Sequence, residues 1–278
     1  MKALAGKAIA ITGAGNGLGR EYAIAVANSG ANVVVNDADP AATAAVVDEI
    51  VASGGSAIGV ATSVSSWEGA ESIVASTIAS FGAIDGLVNN AGVFHDCVAV
   101  DETAESLSEI VSVNLLGALY CGTFALRAMV RQGSGVILNA TSGAHLGTAR
   151  LSAYGATKGG IASATYAWAV ETRNSGVRVN AIAPYAHTAM TQGWERPTIA
   201  RPADVAPVVV YLLSDRALDV TGLVLRVDAS GVCALLAPRL QAGIVPLNDT
   251  SVEGIDNALR AHGLIVAPPS GFSSEQVQ

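Results

Sequence analysis

The sequence predicts an α/β protein built on a parallel sheet of about seven strands, followed by a small C-terminal extension. Two observations carry that expectation. Short β-branched runs alternate with longer Ala-rich amphipathic stretches, which is the pattern of βαβ units. A glycine-rich segment, Thr12–Gly19, stands directly between the first such run and the first amphipathic stretch. With 278 residues, 51% apolar and 14% charged, the chain has the material for one large core and lacks the composition of a disordered segment.

In chain order, Ala8–Ile11 reads as the first strand: it follows two lysines like a leader's apolar region, but is too short for one and runs at once into the glycine turn. The first helix is expected at Gly19–Ser29, then a strand at Asn32–Asn36. The helix Ala41–Ser53 opens after the proline turn Asp39-Pro40. Strand Ser56–Ala61, helix Trp67–Phe81 and strand Gly86–Asn89 follow, then a long helix over Thr103–Gln132. Strand Gly135–Asn139, helix Ser152–Ser175, strand Arg178–Ile182, the proline-opened helix Pro202–Ser214 and strand Gly222–Val227 complete the series. No repeat or low-complexity linker interrupts this order, so residues 1–231 are expected to form one domain and residues 232–278 an extension. In the extension, Thr250 or Ser251 would cap a short helix through His262, with Ile244–Val245 and Leu264–Val266 as short strands and a loose end after Pro268-Pro269.

The net charge of −8, with no basic cluster, gives nucleic acid nothing to bind. No apolar run approaches the roughly eighteen residues that span a bilayer, so no membrane partner is expected. Cys97, Cys121 and Cys233 are odd in number and form no Cys-x-x-Cys pair; they read as reduced packing residues of a cytoplasmic protein. His95, His145 and His187 lack metal-ligand spacing, so no metal is expected.

Two segments carry chemistry. In Thr12-Gly13-Ala-Gly15-Asn16-Gly17-Leu18-Gly19, glycines let backbone amides approach a pyrophosphate while the following helix N-terminus favours its charge. Asp37 ends the second strand, where a carboxylate accepts from adenosine ribose hydroxyls and repels a 2′-phosphate; this favours NAD over NADP, with Arg20 arguing the other way. The second segment is Tyr154-Gly-Ala-Thr-Lys158, in a chain with only three lysines. On a helix, residues four apart share a face, so the ammonium would stand beside the phenol and favour its ionised form, as a proton-exchanging phenol requires.

Six ordered motifs now match one family: Thr12-Gly-x3-Gly-x-Gly19, Asn89-Asn-Ala-Gly92, Val113-Asn114, Asn139-x-x-Ser142, Tyr154-x3-Lys158 and Asn180-x3-Pro184. The chain resembles a short-chain dehydrogenase/reductase over roughly residues 5–231. The resemblance implies a Rossmann-type, doubly wound sheet. It also implies Tyr154 as acid/base, Lys158 lowering its pKa and holding the nicotinamide ribose, Ser142 holding the reacting oxygen, and Asn114 placing a water behind Lys158. Asn90, Ala91 and Gly92 would line the adenosine side. Three positions depart from the family pattern. Thr62-Ser63-Val64 lacks the usual acid at the adenine contact, Pro184-Tyr185 replaces Pro-Gly, and the nicotinamide threonine aligns with Thr188 only through a one-residue deletion.

Val35-Asn36-Asp37, Val88–Asp96, Ile182–Thr191 and Asp204-Val-Ala-Pro207 are similar to the 3-hydroxyacyl-CoA dehydrogenase module of peroxisomal multifunctional enzymes, known also for 17β-hydroxysteroid activity. That likeness implies a secondary alcohol on a bulky apolar skeleton, a hydroxyacyl-CoA or a hydroxysteroid-like molecule. An NADP-dependent carbonyl or 3-oxoacyl reductase is the alternative, and a non-catalytic nucleotide sensor a further one. The stretch Tyr185–Arg201 is expected to cover the substrate, with Tyr185, His187 and Trp194 as pocket residues and His145 facing the same pocket. The family likeness also implies a homotetramer or homodimer.

Overall fold

In a computed structural model of the chain, residues 2–188, 191, 197–238, 249 and 251–261 are described. The valine and isoleucine runs form strands, and the inner ones have neighbours on both sides and cover on both faces, as parallel sheets require. In order these are β1 (Ala8–Thr12), β2 (Asn32–Asp37), β3 (Ser56–Ala61), β4 (Gly86–Asn89), β5 (Gly135–Ala140), β6 (Val177–Pro184), β7 (Val224–Asp228) and β8 (Gly231–Leu235). They lie in the order β3-β2-β1-β4-β5-β6-β7-β8, parallel up to β7, with β8 antiparallel at the edge. All seven expected strands are present, most with ends shifted by a residue or two. The eighth is the short return strand after Asp228, and it carries the sheet past Gly231.

Alternation along β1 shows how the two faces are filled. Ile9 and Ile11 point into one cluster with Tyr22, Val205 and Leu212, whereas Ala10 points into another with Ile73, Leu87 and Met129. Helices α1 (Gly17–Asn28) and α7 (Pro202–Leu213) cover the first face. The second is covered by α3 (Trp67–Phe81) and α5 (Gly117–Gln132). The helix starts follow local chemistry: Asp39 accepts from Ala41 N at 2.8 Å and Pro40 leads α2 (Pro40–Ala52), while Ser66 accepts from Gly69 N at 3.0 Å to start α3.

The single helix expected over Thr103–Gln132 is instead α4 (Ala104–Ile110), a π-turn at Val111–Leu116, and α5. Asn114 lies in that π-turn and is drawn onto the main chain of Val93, accepting from its N–H at 2.7 Å and donating to its carbonyl at 2.9 Å. By length and composition alone, Ala104–Gln132 would also suffice to cross a bilayer, although its apolar residues are not one consecutive run. Its Cys121, Ala125 and Met129 pack into the core on the second sheet face.

After the longest helix, α6 (Ser152–Glu171), and the α7–β7–β8 segment, the last described element is α8 (Val252–Ala261). Ser251 Oγ accepts from Gly254 N at 3.0 Å, the capping role expected for it. Thr250, His262 and the expected strands at Ile244–Val245 and Leu264–Val266 lie outside the described residues.

Candidate active site

Between β1 and β4 the strand order reverses, and a crevice opens there at the carboxyl ends of the strands. In this molecule it is a cleft of about 570 Å³, running from the glycine turn to α6 and the loop after β6.

At one end the turn after β1 is tied to the exit of β4. Thr12 Oγ accepts from Asn90 N at 3.0 Å and Ala91 N at 3.1 Å, while Asn90 Nδ2 donates to the carbonyls of Thr12 and Gly13. Gly17 has φ +53° with open space where a Cβ would stand, so the backbone faces the cleft bare. Gly19 is required for a different reason: any Cβ there would collide with the carbonyl of Gly13. Asn16 makes no side-chain cap, so the first amides of α1 are available to an anion. Gly13, Asn16, Gly17 and Leu18 line the cleft; Gly15 and Gly19 stand behind it and shape it.

Asp37 lines the same end. Its Oδ2 accepts from Gly15 N at 2.9 Å and its Oδ1 from Asp39 N at 3.1 Å, which fixes the carboxylate beside the turn. Arg20 is held elsewhere, by Glu21 and by both carboxylate oxygens of Glu49 at 2.6 and 2.7 Å, and does not line the cleft. Ser63 and Val64 form the adjoining wall together with Thr62. Asn36 pins that wall by donating to the carbonyls of Val60 and Thr62. Asn90, Ala91 and Gly92 line the opposite side.

At the other end, Ser142, Tyr154 and Lys158 line the cleft together. Lys158 Nζ stands 5.6 Å from the centre of the Tyr154 ring and donates to the carbonyl of Ala140 at 2.9 Å. Thr141 Oγ donates to the carbonyl of Lys158 at 2.7 Å, joining the β5 exit to α6. Burial lowers the Lys158 ammonium to about 8 and raises the Tyr154 phenol to about 12, with the hydrogen bond to Ser142 opposing the latter. Desolvation, the largest influence on Tyr154, thus acts against the lowering of the phenol expected from Lys158, and the Ser142 hydrogen bond acts for it.

Asn114 is buried and does not line the cleft. It lies beneath Gly92, where an added Cβ would meet Asn114 Oδ1 at 3.2 Å and Lys158 Nζ at 3.6 Å. Its amide also reaches Thr157 Oγ at 3.5 Å, one turn below the reactive face of α6.

Of the residues expected around a substrate, Tyr185 lines the cleft; Pro184 and Thr188, expected at the cofactor, line it as well. His145 does not: its Nδ1 turns back onto the carbonyl of Ser142. His187 is exposed and does not line it either, its amide bonding the carbonyl of Ala200 at 2.9 Å. Trp194 lies outside the described residues. The reading from sequence missed Phe94, whose ring packs edge-on to Tyr154 at 5.2 Å and 73°, and also Val113, Leu151 and Glu109. Phe94 was findable as the second residue after Gly92 and Val113 as the neighbour of Asn114; Leu151 and Glu109 come from segments with no motif.

The family model described as short chain dehydrogenase matches residues 7–198. A cyclohexanol dehydrogenase from Acinetobacter sp. (strain SE19) is 34% identical, covering 81% of this chain and 94% of that protein. The peroxisomal hydratase-dehydrogenase-epimerase of Saccharomyces cerevisiae is 36% identical over 74% of this chain, which corresponds to 24% of that longer protein. Among solved structures, a short chain dehydrogenase from Mycobacterium avium superimposes with a TM-score of 0.88 at 32% identity, covering 97% of this chain and 98% of its own.

Proposed function

The chain belongs to the short-chain dehydrogenase family, and we propose that within it the protein is an NAD-dependent dehydrogenase of secondary alcohols on a bulky apolar skeleton. Its family acts on CH–OH groups and binds NAD(H) or NADP(H). One observation carries the finer reading: a single cleft has Asp37 at one end and Tyr154, Ser142 and Lys158 at the other.

The residues present fit the nucleotide. The glycine turn and the first amides of α1 would take the pyrophosphate, Asp37 the adenosine ribose, and Lys158 the second ribose. Bound there, the nicotinamide supplies the hydride acceptor. The chain's own residues then handle the proton and the position of the alcohol. Ser142 holds the reacting oxygen, Tyr154 exchanges its proton, and Asn114 orders the main chain behind Lys158. Against the rival reading as an NADP-dependent reductase, Arg20 is already spent on Glu49 and Glu21, and Asp37 would repel a 2′-phosphate.

Phe94, Val113 and Leu151 give the reacting end an apolar wall, which suits a ring or acyl chain. That agrees with likeness both to a cyclohexanol dehydrogenase and to a peroxisomal multifunctional protein. Hydroxyacyl-CoA and hydroxysteroid-like alcohols are therefore the first substrates to screen, and we place the protein in the cytoplasm as a homo-oligomer.

Calorimetric titration of NAD, NADH and NADPH, combined with Tyr154→Phe, tests this reading. Wild type should prefer NAD(H) by at least about tenfold. The variant should lose about a hundredfold or more in turnover while its NADH affinity stays within about twofold. Preference for NADPH would move the protein to the reductase class, and turnover surviving in the variant would remove Tyr154 from the chemistry.

A further inference from the structure

We infer that Glu109 sets the charge preference of the substrate end of the cleft, favouring alcohols that are uncharged or cationic beyond the carbinol over those carrying a carboxylate there. The inference rests on reading that end as an alcohol site.

Among the described residues, three charged side chains line the cleft: Asp37, Lys158 and Glu109. Asp37 belongs to the nucleotide end, bonded to Gly15 N. Lys158 is buried and occupied by the carbonyl of Ala140. That leaves Glu109, on the last turn of α4, to set the potential met by the remote end of a substrate held against Phe94, Val113 and Leu151.

Its neighbours do not cancel the charge. His95 Nε2 lies 3.2 Å from Glu109 Oε2. His95 Nδ1 is buried without a partner among the described residues, and this one ring, whatever its charge, is outnumbered by the carboxylates around it. On its outer side Glu109 also borders a shallow groove lined by Asp96, Asp101, Glu102 and Glu105. Arg150, the cation reaching this rim, is paired with Asp96. A substrate carboxylate entering here would meet negative charge with no free cation among the described residues to receive it, while an ammonium would be drawn in. Because Glu109 is more than half exposed, water and salt weaken the effect, and a preference of about tenfold is the expected scale.

Three probes that share the cyclohexanol ring and differ in the charge of one substituent test it: 4-aminocyclohexanol, 4-methylcyclohexanol and 4-hydroxycyclohexanecarboxylate. The values of kcat/KM are measured with NAD on the full chain, at low and high salt, for wild type, Glu109→Gln and Glu109→Lys. Wild type should follow the order cation, neutral, anion, with about tenfold between neutral and anion at low salt and less at high salt. Glu109→Gln should compress that ratio to about threefold or less, and Glu109→Lys should reverse the order. An anion oxidised as well as the neutral alcohol by wild type, or a ratio unmoved by both substitutions, overturns the role of Glu109 alone. If NAD binds yet the neutral alcohol is not oxidised, the apolar-alcohol reading fails, and this inference falls with it.

Discussion

Lys158 shows how a single side chain here is placed at a cost to the fold. Its folded pKa of about 8 is below its ordinary 10.5 because burial strips water from the ammonium. Below about pH 8 the lysine is charged both folded and unfolded, and the fold bears the full desolvation cost. As pH rises from about 8 towards 10.5, the folded chain sheds a proton that the unfolded chain keeps, so stability rises with pH through this group. The shift corresponds to roughly 3 kcal/mol. Against it stands the hydrogen bond to Ala140, whose loss would leave a buried carbonyl unpaired at a cost of about 1–2 kcal/mol. Lys158→Met should therefore gain about 1–2 kcal/mol near pH 7, a rise in Tm of roughly 2–6 °C in the cofactor-free protein. The gain should shrink near pH 9.5, and turnover should be lost. Thermal unfolding at the two pH values measures it. A variant less stable at both would mean that the ammonium is a net stabiliser despite its burial.

Among the elements, the π-turn at Val111–Leu116 connects the helix over the second sheet face to the loop that carries Phe94. Sequence periodicity reads Thr103–Gln132 as one helix because a π-turn shifts the helix phase without leaving a composition mark. By contrast the glycine turn and the Tyr154–Lys158 pair were legible, since their geometry depends on spacing within one turn of one element. The apolar wall was not: Leu151 meets Glu109 and Val113, which are four residues apart on one helical stretch, only because two separate segments converge on the same cleft. His145 and His187 were named for their residue type, and neither lines that cleft. Asn114 carries the joint between the π-turn and the β4 exit through two short bonds to Val93. Asn114→Ala should strand the part-buried N–H and carbonyl of Val93 together, at about 1–3 kcal/mol, lowering Tm by roughly 3–9 °C. Truncating Val111 on the same turn, which is more than a third exposed, should cost less than about 1 kcal/mol. Equal losses in the two variants would show that the turn is held by helix packing and not by the amide.

For the whole molecule, the open question is what the chain beyond Asp228 does for the sheet. Its composition suggested an appendage beginning at residue 232, because Gly231–Leu235 is too short and too exposed to carry an amphipathic signal. The antiparallel return of β8 nevertheless occupies the whole edge of β7, pairing Val224 with Leu235 through to Asp228 with Gly231. On β7, Arg226 pairs with Asp228 at 2.9 Å and lies over the ring of Tyr185 at 5.3 Å, so the edge is one step from the cleft wall. A chain ending after Ser230 would leave β7 with a row of unpaired main-chain groups beside its buried Val224 and Val227, a template for pairing with another copy. That truncation should lower Tm and produce concentration-dependent growth in mass by light scattering. KM for the alcohol should rise as Tyr185 loses its support, whereas NAD affinity should stay within about twofold, since Asp37 and the glycine turn lie four or more strands away. Ending the chain after Pro238 keeps β8 and separates its effect from that of the later residues. If the two truncations behave alike, the stability belongs to residues after Pro238; if only the shorter chain associates, β8 protects the edge of the sheet.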